Sequence, residues 1–180
     1  MNTDFKEAFE KTRIAGSIAS GALDEVAKII KVGTSTNQID KICYEYINDN
    51  KAYSAPLFYR GFPKSCCTSA NHVVCHGIPS DKILKEGDIV NVDVTAYKNG
   101  WHGDTSRMFE IGKVSIKAKK LIETTFESMM KGIKILKEDI QLGDIGSTIQ
   151  DHVEAQGFSV VQDFCGHGIG QSFHKEPNIL

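Results

Sequence analysis

The fold of this chain depends first on the stretch DIVNVDVTAYKNGW at residues 88–101. Val90, Val92 and Val94 alternate with polar residues, and this period of two predicts a strand with one buried face. The strand runs into Asn-Gly, the preferred centre of a two-residue type I′ turn. We therefore expect a β-hairpin over residues 88–111.

Counting outward from the turn predicts which side chains lie opposite each other. Thr95 pairs with Asp104 and Asp93 pairs with Ser106, so the two aspartates are diagonal neighbours on one face, with Cβ atoms at most about 7–8 Å apart. Two such carboxylates repel unless a cation lies between them or one holds a proton, and two metals about 3.5–4 Å apart would fit the gap. Polar residues also cover the solvent-facing side of ordinary antiparallel sheets. The register alone leaves both interpretations open.

The remaining sequence predicts an α+β fold. Apolar periodicity predicts helices over residues 3–32, from Ser35 or Thr36, over residues 117–133, and from Asp144 to Gln156. Gly33 and Gly157 are expected to end the first and the last of these, and Ser35 with Gln38 has capping-box spacing. Short β-prone pieces are expected at His72–Cys75 and Phe158–Val161. We expect a mainly antiparallel sheet covered by helices, in a single domain of residues 1–180.

Composition argues against several classes of protein. The formal charge is −2 and no Lys/Arg cluster occurs, so nucleic-acid binding is not expected. The charged start is not a secretory signal, and no apolar run reaches membrane-spanning length. The glycines of residues 166–170 lack the spacing of a dinucleotide-binding loop. An odd number of cysteines, five, predicts reduced and mostly buried thiols. The cytoplasm is therefore the expected location.

Histidines in glycine-rich and proline-rich loops give a second signal. The chain has six histidines: His72, His76, His102, His152, His167 and His174. His167 lies in CGHGIG, His174 follows in SFHKEP, and His76 lies in CHGIP. Together with a carboxylate pair, three such histidines are typical of a metal site with acid–base helpers. His152 is expected on a solvated helix face, and the sequence leaves His72 and His102 undecided.

Five motifs, in this order, carry a family resemblance: GFPKS at 61–65, VCHGIP at 74–79, GDIVNVDVT at 87–95, HGDTSRMF at 102–109, and CGHGIG at 165–170 with Phe173-His174 and Glu176-Pro177 after it. They resemble the motifs of bacterial-type (type I) methionine aminopeptidases. The resemblance implies the "pita-bread" creatinase/aminopeptidase fold, whose two pseudo-symmetric halves enclose two divalent metal ions. Two further glutamate ligands of the family have no counterpart up to Leu180. We therefore expect a catalytic domain without its C-terminal portion, with the second half incomplete.

The resemblance also implies roles for individual residues. The metal ligands would be Asp93 with both oxygens, Asp104 as the bridge, and His167 at the second metal. His76 and His174 would be the catalytic and substrate-binding histidines. The pocket for the methionine side chain would be lined by Tyr59, Phe62, Cys67 and Phe173, and an apolar, partly aromatic pocket suits a thioether.

The activity implied is removal of the initiator methionine from nascent polypeptides by a water molecule that two metals activate. Mn, Fe, Co and Zn all tolerate such carboxylate–imidazole ligands. The resemblance implies a monomer that works near the ribosome, without direct contact to nucleic acid or membrane.

Two other interpretations remain open at this point. The chain could be an inactive, truncated remnant of the same fold that binds metal weakly or serves as a non-catalytic binding protein. It could also be a proline-specific peptidase of the same fold. The short N-terminal region and the motif at Cys75–Pro79 argue against that second possibility.

Overall fold

Helices and antiparallel strands form two compact units within residues 3–180, the part of the chain that the computed structural model describes. The first unit extends to Val114 and includes the later segment Ile169–Phe173. Its elements are α1 (Thr3–Ile29), α2 (Thr36–Asp49), β1 (Tyr53–Ser54), a 3-10 turn (Tyr59–Gly61), β2 (Cys67–Ala70), β3 (Ile89–Lys98) and β4 (Trp101–Glu110). The second unit contains α3 (Ile116–Lys134), α4 (Leu142–Ala155), β5 (Gly166–Gly168) and β6 (Lys175–Ile179).

The β3–β4 hairpin is the centre of the first unit, and its predicted register is confirmed. Thr95 lies opposite Asp104, and Asp93 lies opposite Ser106. Asn99 and Gly100 both have positive φ, 51° and 83°, as a type I′ turn requires. Strands β1 and β2 pair antiparallel with the other edge of β3. The expected antiparallel sheet is therefore present.

The core lies between one face of this sheet and the two helices of the first unit. The inward side chains of β3 are fully buried, and so are most of the inward residues of α1 and α2: Val90, Val92, Val94, Ala96, Ala19, Ala22, Leu23, Val26, Ile39, Cys43 and Ile47. Small residues on α1 let its backbone approach β4 closely. Gly103 sits at that approach, where a Cβ would overlap the backbone of Ala15 and Gly16.

The start of α2 follows the sequence prediction, whereas the end of α1 does not. The Ser35 hydroxyl accepts from the Gln38 backbone N–H at 3.2 Å, and the Gln38 side chain accepts from the Ser35 N–H at 2.7 Å, as a capping box requires. Helix α1 ends at Ile29, because the Thr34 hydroxyl donates to the Ile29 carbonyl at 3.1 Å and turns the chain. The expectation that Gly33 ends the first helix is therefore wrong, because α1 has already ended at Ile29.

Two β predictions are wrong. Residues 72–75 form no strand, because Asn71 adopts a positive φ of 55° and turns the chain directly after β2. Phe158–Val161 also forms no strand. Local β-propensity does not suffice without a neighbouring strand to complete the hydrogen-bond ladder.

The second unit has a helix pair whose contact is made by small side chains. The buried residues of α3 are Thr124, Ser128 and Gly132, while its large apolar residues, predicted as helical, are largely exposed: Leu121, Phe126, Met129, Met130 and Ile133. A Cβ on Gly132 would lie 3.2 Å from the Ile149 side chain of α4. His152, expected on a solvated face, instead bonds Glu127 at 3.1 Å with a side chain only 14% exposed.

Within residues 3–180, none of the helices has both the length and the apolar character that crossing a bilayer requires.

The close approach of α1 to β4 gives a prediction for stability. Gly103→Ala should lower the free energy of unfolding by about 2–3 kcal/mol, because the added methyl group meets helix backbone that cannot rotate away. Gly16→Ala is the matched control. Its Cβ has no heavy atom within 4 Å apart from its own helix, and alanine favours a helix interior by about 1 kcal/mol. Urea unfolding of both variants tests this prediction. Equal free energies of unfolding for Gly103→Ala and Gly16→Ala would contradict it.

Candidate active site

The carboxylate pair of the hairpin lies on the sheet face opposite the core. Asp104 is exposed and Asp93 is half-buried. The Thr95 hydroxyl donates to Asp104 Oδ1 at 2.8 Å, and the negative charge of Asp104 acts on the ionisation of Asp93. The two aspartates therefore form an interacting pair.

The pair perturbs its own ionisation and that of a neighbouring thiol. Burial, and then the negative charge of Asp104, raises the pKa of Asp93 to about 7. Cys67 lies on β2 directly opposite Asp93. Burial, and then the charges of Asp93 and Asp104, raises the pKa of the Cys67 thiol to about 12, so this thiol is neutral at physiological pH.

This arrangement fits a divalent cation. Because burial and the Asp104 charge keep a proton on Asp93 up to about pH 7, a cation that neutralises the pair would release that proton. Hard and borderline cations accept carboxylate oxygen as a ligand. Within residues 3–180, however, the structure does not bring three or more His, Cys, Asp or Glu side chains into one group able to hold a metal ion.

His76 is in a constrained backbone conformation. Its φ is 55°, in the left-handed region that non-glycine residues seldom occupy. The next residue, Gly77, holds the turn against β2: the Thr68 N–H donates to the Gly77 carbonyl at 2.7 Å, and the Gly77 N–H donates to the Ser69 hydroxyl at 3.1 Å. A Cβ on Gly77 would overlap the Thr68 carbonyl, so only glycine fits. Strain of this kind often occurs at functional sites.

Aromatic side chains gather near the turn of the hairpin. The rings of Tyr59 and Phe173 have centroids 5.0 Å apart. His102 stacks on Phe173 at 5.4 Å with an interplanar angle of 10° and lies 4.7 Å from the Tyr97 ring. Phe62, half-buried, follows the 3-10 turn, and its N–H donates to the Tyr59 carbonyl at 2.9 Å.

The second unit contains the other two predicted histidines. His167 lies on β5 opposite Asn178 of β6, and its ring centroid is 4.4 Å from that of His174. Gly168 is required here, because a Cβ would overlap the Glu176 carbonyl. The structure therefore brings these two histidines together within their unit.

Seven of the nine predicted site residues, all except Phe62 and His76, thus fall into three local groups. Cys67, Asp93 and Asp104 form one around the hairpin, Tyr59 and Phe173 form the second, and the two histidines of the second unit form the third. His102, which the sequence left undecided, belongs to the second group. Its signal was present in the sequence, since it lies two residues before Asp104 and so shares its strand face.

The raised pKa of Asp93 predicts how the stability of the metal-free protein depends on pH. Between the ordinary value of 3.8 and about 7, the folded protein holds a proton that the unfolded chain has released. The free energy of unfolding therefore falls as pH rises through this range. Asp93→Asn should lack that part of the decline, whereas Glu110→Gln, which removes an exposed carboxylate on the neighbouring strand β4, should follow the wild type. Urea unfolding in EDTA between about pH 5 and pH 8 measures this pH dependence of the free energy of unfolding. The prediction is contradicted if the free energy of Asp93→Asn falls with pH in parallel with that of the wild type.

Comparison with known proteins gives a consistent picture. The sequence pattern described as metallopeptidase family M24 matches residues 10–180. The methionine aminopeptidase of Rickettsia prowazekii is 52% identical over 96% of this chain, which spans 66% of that protein. The methionine aminopeptidase of Escherichia coli K12 is 52% identical over 97% of the chain, which spans 67% of it.

Solved structures agree with this. The crystal structure of the Rickettsia prowazekii methionine aminopeptidase matches with a TM-score of 0.95 at 51% identity, covering 97% of this chain and 70% of that one. A prolidase from Pyrococcus furiosus matches with a TM-score of 0.81 at 22% identity, covering 97% of this chain and 50% of the prolidase, a likeness of fold alone. The chain belongs to metallopeptidase family M24 and, within it, to the methionine aminopeptidases.

Proposed function

We propose that the protein removes the N-terminal methionine from nascent polypeptides and peptides by metal-dependent hydrolysis. The observation that carries this proposal is the 52% identity to methionine aminopeptidases along nearly the whole chain. The proline-specific alternative has less support, because the prolidase likeness reaches only 22% identity. The chain spans about two thirds of the relatives it matches, so the activity concerns the protein to which these residues belong.

The proposed metal centre uses Asp93, Asp104 and His167, with two divalent ions drawn from Mn, Fe, Co or Zn. Its main support is the carboxylate pair, in which burial and the Asp104 charge raise the pKa of Asp93 to about 7, so that a bound cation would displace the Asp93 proton. Such ions, when bound, lower the pKa of a water molecule and polarise the substrate carbonyl. The hydrogen bond from Thr95 to Asp104 Oδ1 orients that carboxylate, and fixing a ligand in this way typically strengthens metal binding.

The proposed acid–base work falls to the two histidines. His76 contacts the nitrogen of the scissile bond, and its strained turn, fixed by Gly77 on β2, supports a preset position. His174 donates a hydrogen bond to the oxygen that becomes negative as the carbonyl is attacked. The free amine of the substrate binds near the carboxylate of Asp93, which accounts for cleavage at chain ends only.

The methionine pocket is proposed to be formed by Tyr59, Phe62, Cys67 and Phe173. The Tyr59–Phe173 ring contact supplies an apolar wall. The neutral thiol of Cys67 supplies a polarizable contact for the thioether without a competing charge. A pocket of this kind favours methionine over smaller residues.

The proposed setting is the cytoplasm, with the protein acting as a monomer near the ribosome on emerging N-termini. All five cysteines are free in the structure, including the exposed Cys165, which is consistent with a reducing compartment.

Metal binding tests the proposed centre. We expect calorimetric titration with Mn²⁺ or Co²⁺ to show binding that Asp93→Asn and Asp104→Asn each weaken at least about tenfold, because each removes one ligand charge. Glu110→Gln is the control and should bind like the wild type, since it is exposed at the far end of β4. Unchanged affinity in both aspartate variants would contradict the assignment.

Peptide cleavage tests the activity. With metal supplied, we expect release of methionine from Met-Ala-Ser but not of alanine from Ala-Ala-Ser, and a loss of at least about a hundredfold in Asp104→Asn. Metal binding without any cleavage would instead favour the non-catalytic interpretation. An unchanged rate in Asp104→Asn would contradict the mechanism.

A further inference from the structure

His102 makes two hydrogen bonds to a single carbonyl group of a distant loop. Its backbone N–H donates to the Gly170 carbonyl at 2.8 Å, and its ring Nδ1 lies 2.9 Å from the same oxygen, 68 positions along the chain. A carbonyl oxygen only accepts, and it has two lone pairs. Both donors can therefore be satisfied together, provided that Nδ1 carries the proton.

The loop that His102 binds contains Phe173, one of the residues proposed for the methionine pocket. Gly170 is buried, and its N–H donates to the Ser172 carbonyl at 3.2 Å, which closes a tight turn immediately before Phe173. The His102 ring then stacks on Phe173, and Phe173 packs against Tyr59. One side chain of β4 thus fixes both the backbone of the turn and the ring that follows it.

The position of His102 on the strand connects this loop to the carboxylates. His102 and Asp104 are two residues apart and share one face of β4. Tyr97 lies opposite His102 in the hairpin, and its ring centroid is 4.7 Å from that of His102. The ring therefore has little freedom to turn away from Phe173.

We propose that His102 is a positioning residue for the methionine pocket. It holds the segment Ile169–Phe173 on β4 so that the Phe173 ring faces Tyr59, on the sheet face that bears Asp93 and Asp104. This inference rests on the proposed function. His102 acts through Phe173 and touches no reacting atom. Its removal should therefore change the selectivity for the methionine side chain more than the binding of metal.

Separate variants remove the two contributions of His102. His102→Asn keeps a short donor near the Gly170 carbonyl and loses the ring. His102→Phe keeps a ring to stack on Phe173 and loses the side-chain donor. His102→Ala loses both, and His72→Ala is the control, since His72 is exposed in the same unit.

The first measurement is the ring tautomer of His102 in the metal-free protein, read from ¹⁵N NMR of the imidazole nitrogens. We expect the proton on Nδ1, with the signal identified by its absence in His102→Ala. A neutral ring with its proton on Nε2 would overturn the inference, because the bond to Gly170 could not form.

The second measurement is binding of L-methionine and L-alanine to the Co²⁺-loaded chain by calorimetry. We expect the preference for methionine to fall at least about fivefold in His102→Ala, with a partial recovery in His102→Asn and His102→Phe and no change in His72→Ala. Cobalt affinity should stay within about twofold in every variant.

The outcomes separate the two proposals. If the wild type prefers methionine and His102→Ala keeps that preference, the inference about His102 is wrong and the proposed function stands. Equal weakening of both amino acids in His102→Ala would also overturn the inference, because it indicates a general structural role. If the wild type shows no preference for methionine, the proposed pocket fails, and the inference fails with it.

Discussion

The register of β3 against β4 determines which side chains of the hairpin face the core and which lie on the opposite face of the sheet. Because side chains alternate along a strand, a shift of one residue would turn Asp93 and Asp104 into the core and expose the valines. The type I′ turn at Asn99-Gly100 prevents such a shift. On the core face, the close contact of Gly103 with α1 fixes the same register from the other side.

The composition of the sheet face opposite the core, on which Asp93 and Asp104 lie, depends on that register. It holds Asp93 and Asp104 in one interacting pair, with Cys67 opposite Asp93 on the neighbouring strand. It also presents His102, which binds the loop before Phe173. Two of the proposed metal ligands, Asp93 and Asp104, and His102 therefore lie on one hairpin, and rigid elements hold a site more precisely than free loops do.

Local and nearby interactions could be predicted from the sequence, whereas distant partners could not. The hairpin register and the Ser35 capping box depend on residues a few positions apart, and both predictions are confirmed. The strand expected at Phe158–Val161 and the contacts of His102 depend on partners elsewhere in the chain. Within the residues that the structure describes, the first segment forms no strand, whereas His102 meets Gly170. The packing face of α3 was missed because small residues, not large apolar ones, make its contact. The roles of His76, His167 and His174 stay predictions, based on the family resemblance.

The most direct test of the account is to locate a metal ion on the hairpin. Crystals soaked in Mn²⁺ and measured at the manganese absorption edge would show the ion as an anomalous peak. We predict a peak within about 2.0–2.5 Å of carboxylate oxygens of both Asp93 and Asp104. Well-ordered crystals with anomalous peaks only elsewhere, or with none at these two side chains, would contradict it.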